Sequence, residues 1–394
     1  LATEQAAIIF TTGSTGPPKG VFYSHQMFIQ QATQIRDFYQ IRPGGVDLSG
    51  FPLFALFNIG MGVTTVIPKM DPTRPAEVDP RNIIQAVEQW GANQSFGSPA
   101  LWNTVSRYGE KNKVRLPSLQ KVFSAGAPVP PHVLRRVQQM IGDQGEVYTP
   151  YGATEALPIA SNSATEILSQ TAERSAGGAG TCVGRRFPGI QWQVVAISDQ
   201  PVATLSPDWE VPSGEIGELL VSGPVVSPRY VTRLEANALH KVVDPRTQAI
   251  WHRTGDLGYL DPQGRFWFCG RKGHRVVTRR GTLFTIPVEA IINTHAAVYR
   301  SALVGVGELG QQVPVLIAEP WPEHWTANPE QQERLLQELR SLAQQDPRTQ
   351  QLEHYFLMKQ LPVDIRHNSK IFREKLAVWA AGQLGSQEAA CERS

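Results

Sequence analysis

The chain has 394 residues, an ordinary apolar fraction of 41% and a formal net charge of +2, so it is long enough for two or three domains and carries no broad basic field for nucleic acid. Its three cysteines, Cys182, Cys269 and Cys391, are widely separated, which excludes a Cys-x-x-Cys zinc site or a disulfide framework and makes a reducing cytoplasm the expected setting. The most hydrophobic stretch, Phe51 to Pro68, is interrupted by Pro52, Asn58, Gly60 and Gly62. It therefore reads as buried core or a substrate-pocket wall rather than a transmembrane segment.

Near the N-terminus Ile8-Ile9-Phe10, which reads as a buried strand, runs into Thr11, Thr12, Gly13, Ser14, Thr15, Gly16, Pro17, Pro18 and Lys19. An apolar strand feeding a hydroxyl- and glycine-rich loop that ends in lysine suits a phosphate, because turned backbone N–H groups, neutral hydroxyl donors and one cation converge there. Gly20 after Lys19 rules out the Walker A pattern, which needs Ser or Thr at that place. Ser24 is placed to cap a helix through Met27 and Ile35, and Pro131 to open another with Val133, Leu134, Val137 and Ile141 at helical spacing. Short apolar runs alternate with these helices up to about residue 190, the pattern of an α/β sheet covered by helices.

From Gln191 the character changes. Gln191 to Ala196, Gly217 to Ser222 and Arg265 to Cys269 read as short strands between Pro, Gly and Asp turns, predicting a small β-barrel. Beyond Arg271 come strand-like Ala302 to Val306 and Val313 to Ala318. A helix follows from Pro329, capped by Asn328, with Leu335, Leu336, Leu339 and Leu342 along one face. The resulting division is an α/β core over residues 1–190, a barrel-like subdomain over 191–270 and a smaller α+β region over 271–394.

Six segments, taken together, resemble the adenylate-forming superfamily of acyl-CoA synthetases, peptide-synthetase adenylation domains and luciferases, and they occur in that family's order. They are the loop ending at Lys19; Ser124-Ala125-Gly126-Ala127-Pro128; Tyr151-Gly152-Ala153-Thr154-Glu155; Thr254-Gly255-Asp256; Gly270-Arg271-Lys272; and Asn368-Ser369-Lys370. The resemblance implies a multidomain α/β fold with a mobile C-terminal lid, and ATP and Mg²⁺ as nucleotide and metal. It also implies roles. Thr11 to Lys19 would hold the β- and γ-phosphates, Gly126, Ala127 and Pro128 would lie against adenine, and Tyr151 would stack on it beside Gly152 and Thr154. Glu155 would ligate Mg²⁺, Asp256, in a turn-like Thr-Gly-Asp, would bind the ribose hydroxyls with help from Arg271, and Lys370 would reach the α-phosphate and the attacking carboxylate. Members of the family carry a large preceding segment, so an N-terminally truncated chain is expected.

Some positions depart from ordinary acyl-CoA synthetases. Ala55 follows Pro-Leu-Phe where many members have histidine, the hinge lacks the usual acidic or lysine residue, and the loop Arg279 to Ile286 before Pro287-Val288-Glu289 is altered. In thioester-forming relatives that loop lines the pantetheine tunnel. These features are most similar to the olefin β-lactone synthetases of bacterial long-chain hydrocarbon biosynthesis. That resemblance implies a long-chain β-hydroxy fatty acid substrate, activated as acyl-adenylate and closed to a β-lactone, with other hydrocarbon-biosynthesis enzymes as partners. His252, His274 and His367 all stand as candidates for removing the hydroxyl proton, and Phe54, Phe57, Met61 and Trp102 for pocket walls. A conventional long-chain acyl-CoA or acyl-carrier-protein ligase shares the first half-reaction and remains open. A third reading is an inactive nucleotide-binding fragment, opposed by the presence of Lys19, Glu155, Asp256 and Lys370.

Overall fold

A computed structural model describes residues 2–11, 17–364 and 370–391. They divide into two compact units, the first built from Leu1–Ala172 and Cys182–Trp267, the second from Glu173–Thr181, Phe268–Asp364 and the segment from Lys370 onward.

The first unit begins with a hairpin of β1 (Gln5–Phe10) and β2 (Gly20–Ser24), paired antiparallel with Phe10 opposite Gly20. Ser24 then caps α1 (His25–Phe38): its Oγ accepts from the Met27 N–H at 3.2 Å, satisfying one of the donors a helix start leaves open. A parallel sheet follows, made of β3 (Val46–Ser49), β4 (Thr64–Val66), β5 (Gln94–Gly97), β6 (Lys121–Ser124) and β7 (Glu146–Ala153), in the order β4-β3-β5-β6-β7. The helices α2 (Ala55–Met61), α3 (Pro80–Trp90), α4 (Pro99–Asn112) and α5 (Pro131–Met140) connect or flank these strands. Val133, Leu134 and Val137 of α5 pack into the main core with Leu48, Val87, Trp102 and Val122. Trp102, a candidate pocket wall, is thereby a core residue.

Antiparallel strands continue the unit: β8 (Ala156–Ser163) on β7, β9 (Thr181–Arg186) on β8, and beyond them β10 (Gln191–Val195), β11 (Gly217–Ser222), β12 (Lys241–Val243) and β13 (Ile250–Leu260). Here β11 lies between β10 and β13, and β12 adds to β13. A fully buried ion pair, Arg253 Nη2 to Glu218 Oε2 at 2.6 Å, ties β13 to β11. Arg253 also donates through Nη1 to the Gln200 carbonyl at 2.9 Å, which brings the following turn onto the strands.

The second unit contains β14 (Phe266–Arg271), which begins in the first unit, the hairpin β15 (Val276–Thr278) with β16 (Gly281–Leu283), and a three-stranded sheet of β17 (Val298–Val306), β18 (Val313–Pro320) and β19 (His354–Leu357). Helix Pro329–Ala343, capped by Asn328 at the Glu330 N–H, buries Leu335 and Leu339 against that sheet, as its leucine spacing predicts. Glu173–Thr181 belongs to this unit because Arg348 donates to the carbonyls of Gly177 and Gly178, each at 2.6 Å. Among the described residues no helix is long and apolar enough to cross a membrane.

Two sequence expectations need correction. The strand leading into the phosphate-type loop is not buried: Ile8 and Phe10 are 42% and 57% exposed, because β1 pairs only with β2 and one face has no cover within this unit. The stretch Phe51 to Pro68 is likewise only partly core. Phe57, Met61 and Val63 are buried, whereas Leu56 and Ile59 project outward from a short helix that can bury only one side, and Ile67, just past β4, is exposed as well.

Candidate functional site

The carboxyl edge of the parallel strands, where ligands of open α/β sheets collect, carries the loops that matter. At β6 the chain turns through Gly126 at φ +95°, a conformation glycine adopts at no steric cost, so Gly126, Ala127 and Pro128 pass close to the strand end. The hydroxyl of Ser124, the last residue of β6, is buried and has no hydrogen-bond partner among the described residues. A buried hydroxyl left without a partner at a strand end is a polar atom that a ligand could satisfy.

At β7 the chain reverses through Thr154 and Glu155 into β8. Tyr151, on β7, donates its hydroxyl to Asp256 Oδ2. Asp256 lies not in a free turn but inside the eleven-residue strand β13, at an irregularity of its pairing with β11 where Gly255 takes φ +71°. That bulge redirects the Asp256 carboxylate, whose own N–H is held by Thr254 Oγ1 at 3.0 Å. The structure thus joins Tyr151 and Asp256, two residues that the motifs place 105 positions apart. Gly152 leaves no room for a side chain: a Cβ there would lie 2.9 Å from the Ala156 carbonyl.

Glu155 is nearly buried, and its Oε1 accepts the Tyr230 hydroxyl at 2.7 Å. Among the described residues its Oε2 has no hydrogen-bond partner. The Thr154 carbonyl accepts the Tyr23 hydroxyl at 2.6 Å, and burial pushes that phenol up to about 12, so it stays a donor. The backbone around Glu155 is held by Ser227, whose N–H donates to the Glu155 carbonyl at 2.8 Å and whose hydroxyl donates to the Phe22 carbonyl at 2.8 Å. The segment containing Ser227 and Tyr230 therefore stitches the Glu155 turn to β2.

Lys19 sits just before β2. Its N–H donates to Thr11 Oγ1 and its carbonyl accepts the Thr11 N–H, both at 3.0 Å, so the two ends of the loop are clamped together. Its ammonium lies 5.4 Å from the centre of the Tyr230 ring. Lys241, which opens β12, places a second ammonium 5.3 Å from the same ring and donates to the Ser227 carbonyl at 2.6 Å. Burial holds the Lys241 pKa down to about 7, against the opposing pull of Glu155. Neither Tyr230, Ser227 nor Lys241 was singled out from sequence. The one sequence signal nearby is the turn-forming pair Gly223-Pro224 that precedes Tyr230.

Oxygen chemistry decides whether a divalent metal fits. Among the described residues no three His, Cys, Asp or Glu side chains cluster as a metal cage. Glu155, with one oxygen tied and the other available, suits a hard cation that takes one carboxylate together with phosphate oxygens, as Mg²⁺ does. Thr12, Gly13, Ser14, Thr15 and Gly16 lie outside the described residues, as does His367. Thr11, Lys19, Gly126, Ala127, Pro128, Tyr151, Gly152, Thr154, Glu155 and Asp256 are all in the first unit; Arg271 and Lys370 are in the second. Arg271 ends β14. The Lys370 carbonyl accepts the Asp364 N–H at 2.9 Å. Three residues on, Arg373 Nη2 donates to Glu289 Oε2 at 2.9 Å.

The histidine candidates fare differently. His252 is buried within β13, its Nδ1 3.2 Å from the His240 carbonyl, so that nitrogen must carry hydrogen and its ring ties β13 to the residue just before β12. His274, in the second unit, faces Glu374 at 3.3 Å, and burial is the main cause of its lowered pKa.

At the ends of β3 and β5 a row of aromatics accumulates. Phe54 packs against Phe96 at a tilt, with ring centres 4.3 Å apart, and meets Phe51 at 5.6 Å and Phe57 at 5.9 Å. The loop Arg279 to Ile286 begins as the tight β15–β16 hairpin. Thr278 Oγ1 accepts the Arg280 N–H at 3.0 Å, and Arg279 Nη2 donates to Gln311 Oε1 at 2.8 Å.

The model of the family described as AMP-binding enzyme matches residues 2–231. The chain is 45% identical over 386 residues to an olefin β-lactone synthetase of Stenotrophomonas maltophilia, covering 97% of this chain and 68% of that protein. An olefin β-lactone synthetase of Xanthomonas campestris is 43% identical with the same coverage. Among solved structures, an o-succinylbenzoate coenzyme A synthetase of Bacillus subtilis in complex with ATP and magnesium ion superposes with a TM-score of 0.72 over 95% of this chain and 70% of that one. At 20% identity that likeness speaks for the fold alone.

Proposed function

We propose, from the premise that this chain belongs to the AMP-binding enzyme family and is an ATP-dependent, AMP-forming ligase, that it activates a long-chain β-hydroxy fatty acid and closes it to a β-lactone. The observation that carries this reading is the 45% identity to an olefin β-lactone synthetase along nearly the whole chain. The aromatic row of Phe51, Phe54, Phe57 and Phe96 supports it with an apolar wall suited to an alkyl chain.

In the first half-reaction the substrate carboxylate attacks the α-phosphorus of ATP and pyrophosphate leaves. Lys19 and the loop that it closes would bind the phosphates, and a Mg²⁺ on Glu155 would neutralise their charge. Asp256, oriented by the Tyr151 hydroxyl, would accept hydrogen bonds from the ribose. Ser124 would gain its missing partner from the nucleotide beside Gly126, Ala127 and Pro128. Lys370 would stabilise the negative charge shared between carboxylate and α-phosphate.

In the second half-reaction the substrate's own hydroxyl oxygen attacks the activated carbonyl, loses its proton and expels AMP, closing a four-membered ring. Holding nucleophile and electrophile in one molecule gives a high effective concentration, and the mixed anhydride supplies the energy that ring strain absorbs. No coenzyme A is consumed. The hairpin pinned by Thr278 and Arg279, at the loop that serves pantetheine in thioester-forming relatives, supports this difference.

The test incubates the full-length protein with Mg²⁺, ATP and a synthetic 2-alkyl-3-hydroxy fatty acid, omits coenzyme A, and identifies the product by NMR. A β-lactone with stoichiometric AMP is expected. A bound acyl-adenylate that turns over only after coenzyme A is added would make the protein a conventional acyl-CoA ligase.

A further inference from the structure

Behind the Thr154–Glu155 turn, side chains from four separate stretches meet around one aromatic ring. Tyr230 gives its hydroxyl to Glu155 Oε1 at 2.7 Å, while the ammonium groups of Lys19 and Lys241 approach its ring at 5.4 and 5.3 Å. Ser227 joins them: its N–H holds the Glu155 carbonyl at 2.8 Å, its hydroxyl holds β2, and its carbonyl accepts Lys241 Nζ at 2.6 Å. Lys241 therefore has a fixed seat rather than a solvated one. A cation against a phenol ring draws electron density from the hydroxyl, which makes it a stronger donor to a carboxylate. The same bond occupies one carboxylate oxygen and aims the other.

We propose that Lys241 is a positioning residue for nucleotide activation: seated on the Ser227 carbonyl, it holds the Tyr230 hydroxyl on Glu155 Oε1 so that Oε2 is presented to the metal of a metal–triphosphate. This rests on the reading of Glu155 as the metal ligand. Lys241 acts through Tyr230 and Glu155 and touches neither substrate nor metal. Because Lys19 shares the ring, the phosphate-binding cation and the metal-binding carboxylate are set by one side chain.

The experiment measures Mn²⁺ binding by electron paramagnetic resonance in the full-length protein with a non-hydrolysable ATP analogue, alongside thermal melting of the free protein. Lys241→Met and Tyr230→Phe are each expected to weaken Mn²⁺ binding by about tenfold, the scale on which partners of metal ligands act. Binding of the analogue without metal should stay unchanged, and Lys241→Arg, which keeps the cation, should restore most of the Mn²⁺ affinity. Unaltered Mn²⁺ affinity in a folded Lys241→Met protein, with loss in Glu155→Gln, overturns the proposal alone. Retained Mn²⁺ affinity in Glu155→Gln overturns the metal-ligand reading and this proposal with it. Should Lys241→Met fail to fold, Tyr230→Phe and Lys241→Arg decide the matter: unchanged affinity in Tyr230→Phe counts against the proposal.

Discussion

Asp47, on β3, shows how a single buried carboxylate can tax this fold. Burial pushes its pKa up to about 6 from an ordinary 3.8, although the Asn58 amide donates to Oδ2 at 2.8 Å and Gln94 also favours the charged form. A raised carboxyl pKa means that the folded state keeps its proton while the unfolded chain releases it. Stability associated with Asp47 is thus complete below about pH 4 and declines as pH rises to about 6. Asp47→Asn removes the ionisation. Measured by urea unfolding, the variant should match the wild type near pH 4 and gain roughly 3 kcal/mol on it by pH 7, at 1.36 kcal/mol per unit. A pH-independent difference would mean that the carboxylate pays no burial cost.

Secondary elements in this chain are legible where a local chemical rule starts them. Ser24, Pro131 and Asn328 each sit at the entrance of a helix, and the helices begin at His25, Pro131 and Pro329. Ser24→Ala should cost about 1 kcal/mol by removing the acceptor of the Met27 N–H. The melting temperature should fall by roughly 2–4 °C. An unchanged melt would show that water replaces the cap without loss. Burial was less legible than element type. Apolar Ile8, Phe10, Leu56 and Ile59 read as core from composition, yet each lies on the outer side of a strand or helix that has only one packed face. The Thr254-Gly255-Asp256 segment looked like a turn because Gly and Asp favour turns. It is a bulge within β13, and only the pairing partner β11 reveals that.

At the scale of the whole molecule, the residues proposed for adenylation fall in both compact units, with Lys19, Glu155 and Asp256 in the first and Lys370 in the second. Lys370→Ala in the full-length protein should slow ATP–pyrophosphate exchange by on the order of a hundredfold or more, the cost of removing one charge-stabilising group from a reaction centre. ATP binding, followed by calorimetry, should change little. Unchanged exchange would remove Lys370 from the mechanism.

The sequence by itself determined the family, the order of its motifs, the main helices and the titratable groups proposed for phosphate, metal and ribose, since each depends on residue type within a short window. Tertiary structure alone decided which of these groups meet. The Tyr151–Asp256 contact, the Tyr230–Glu155 bond and the Lys19 ammonium beside Tyr230 join residues separated by long stretches of chain. Such contacts follow from strand pairing and packing over the whole unit, and no local pattern encodes them.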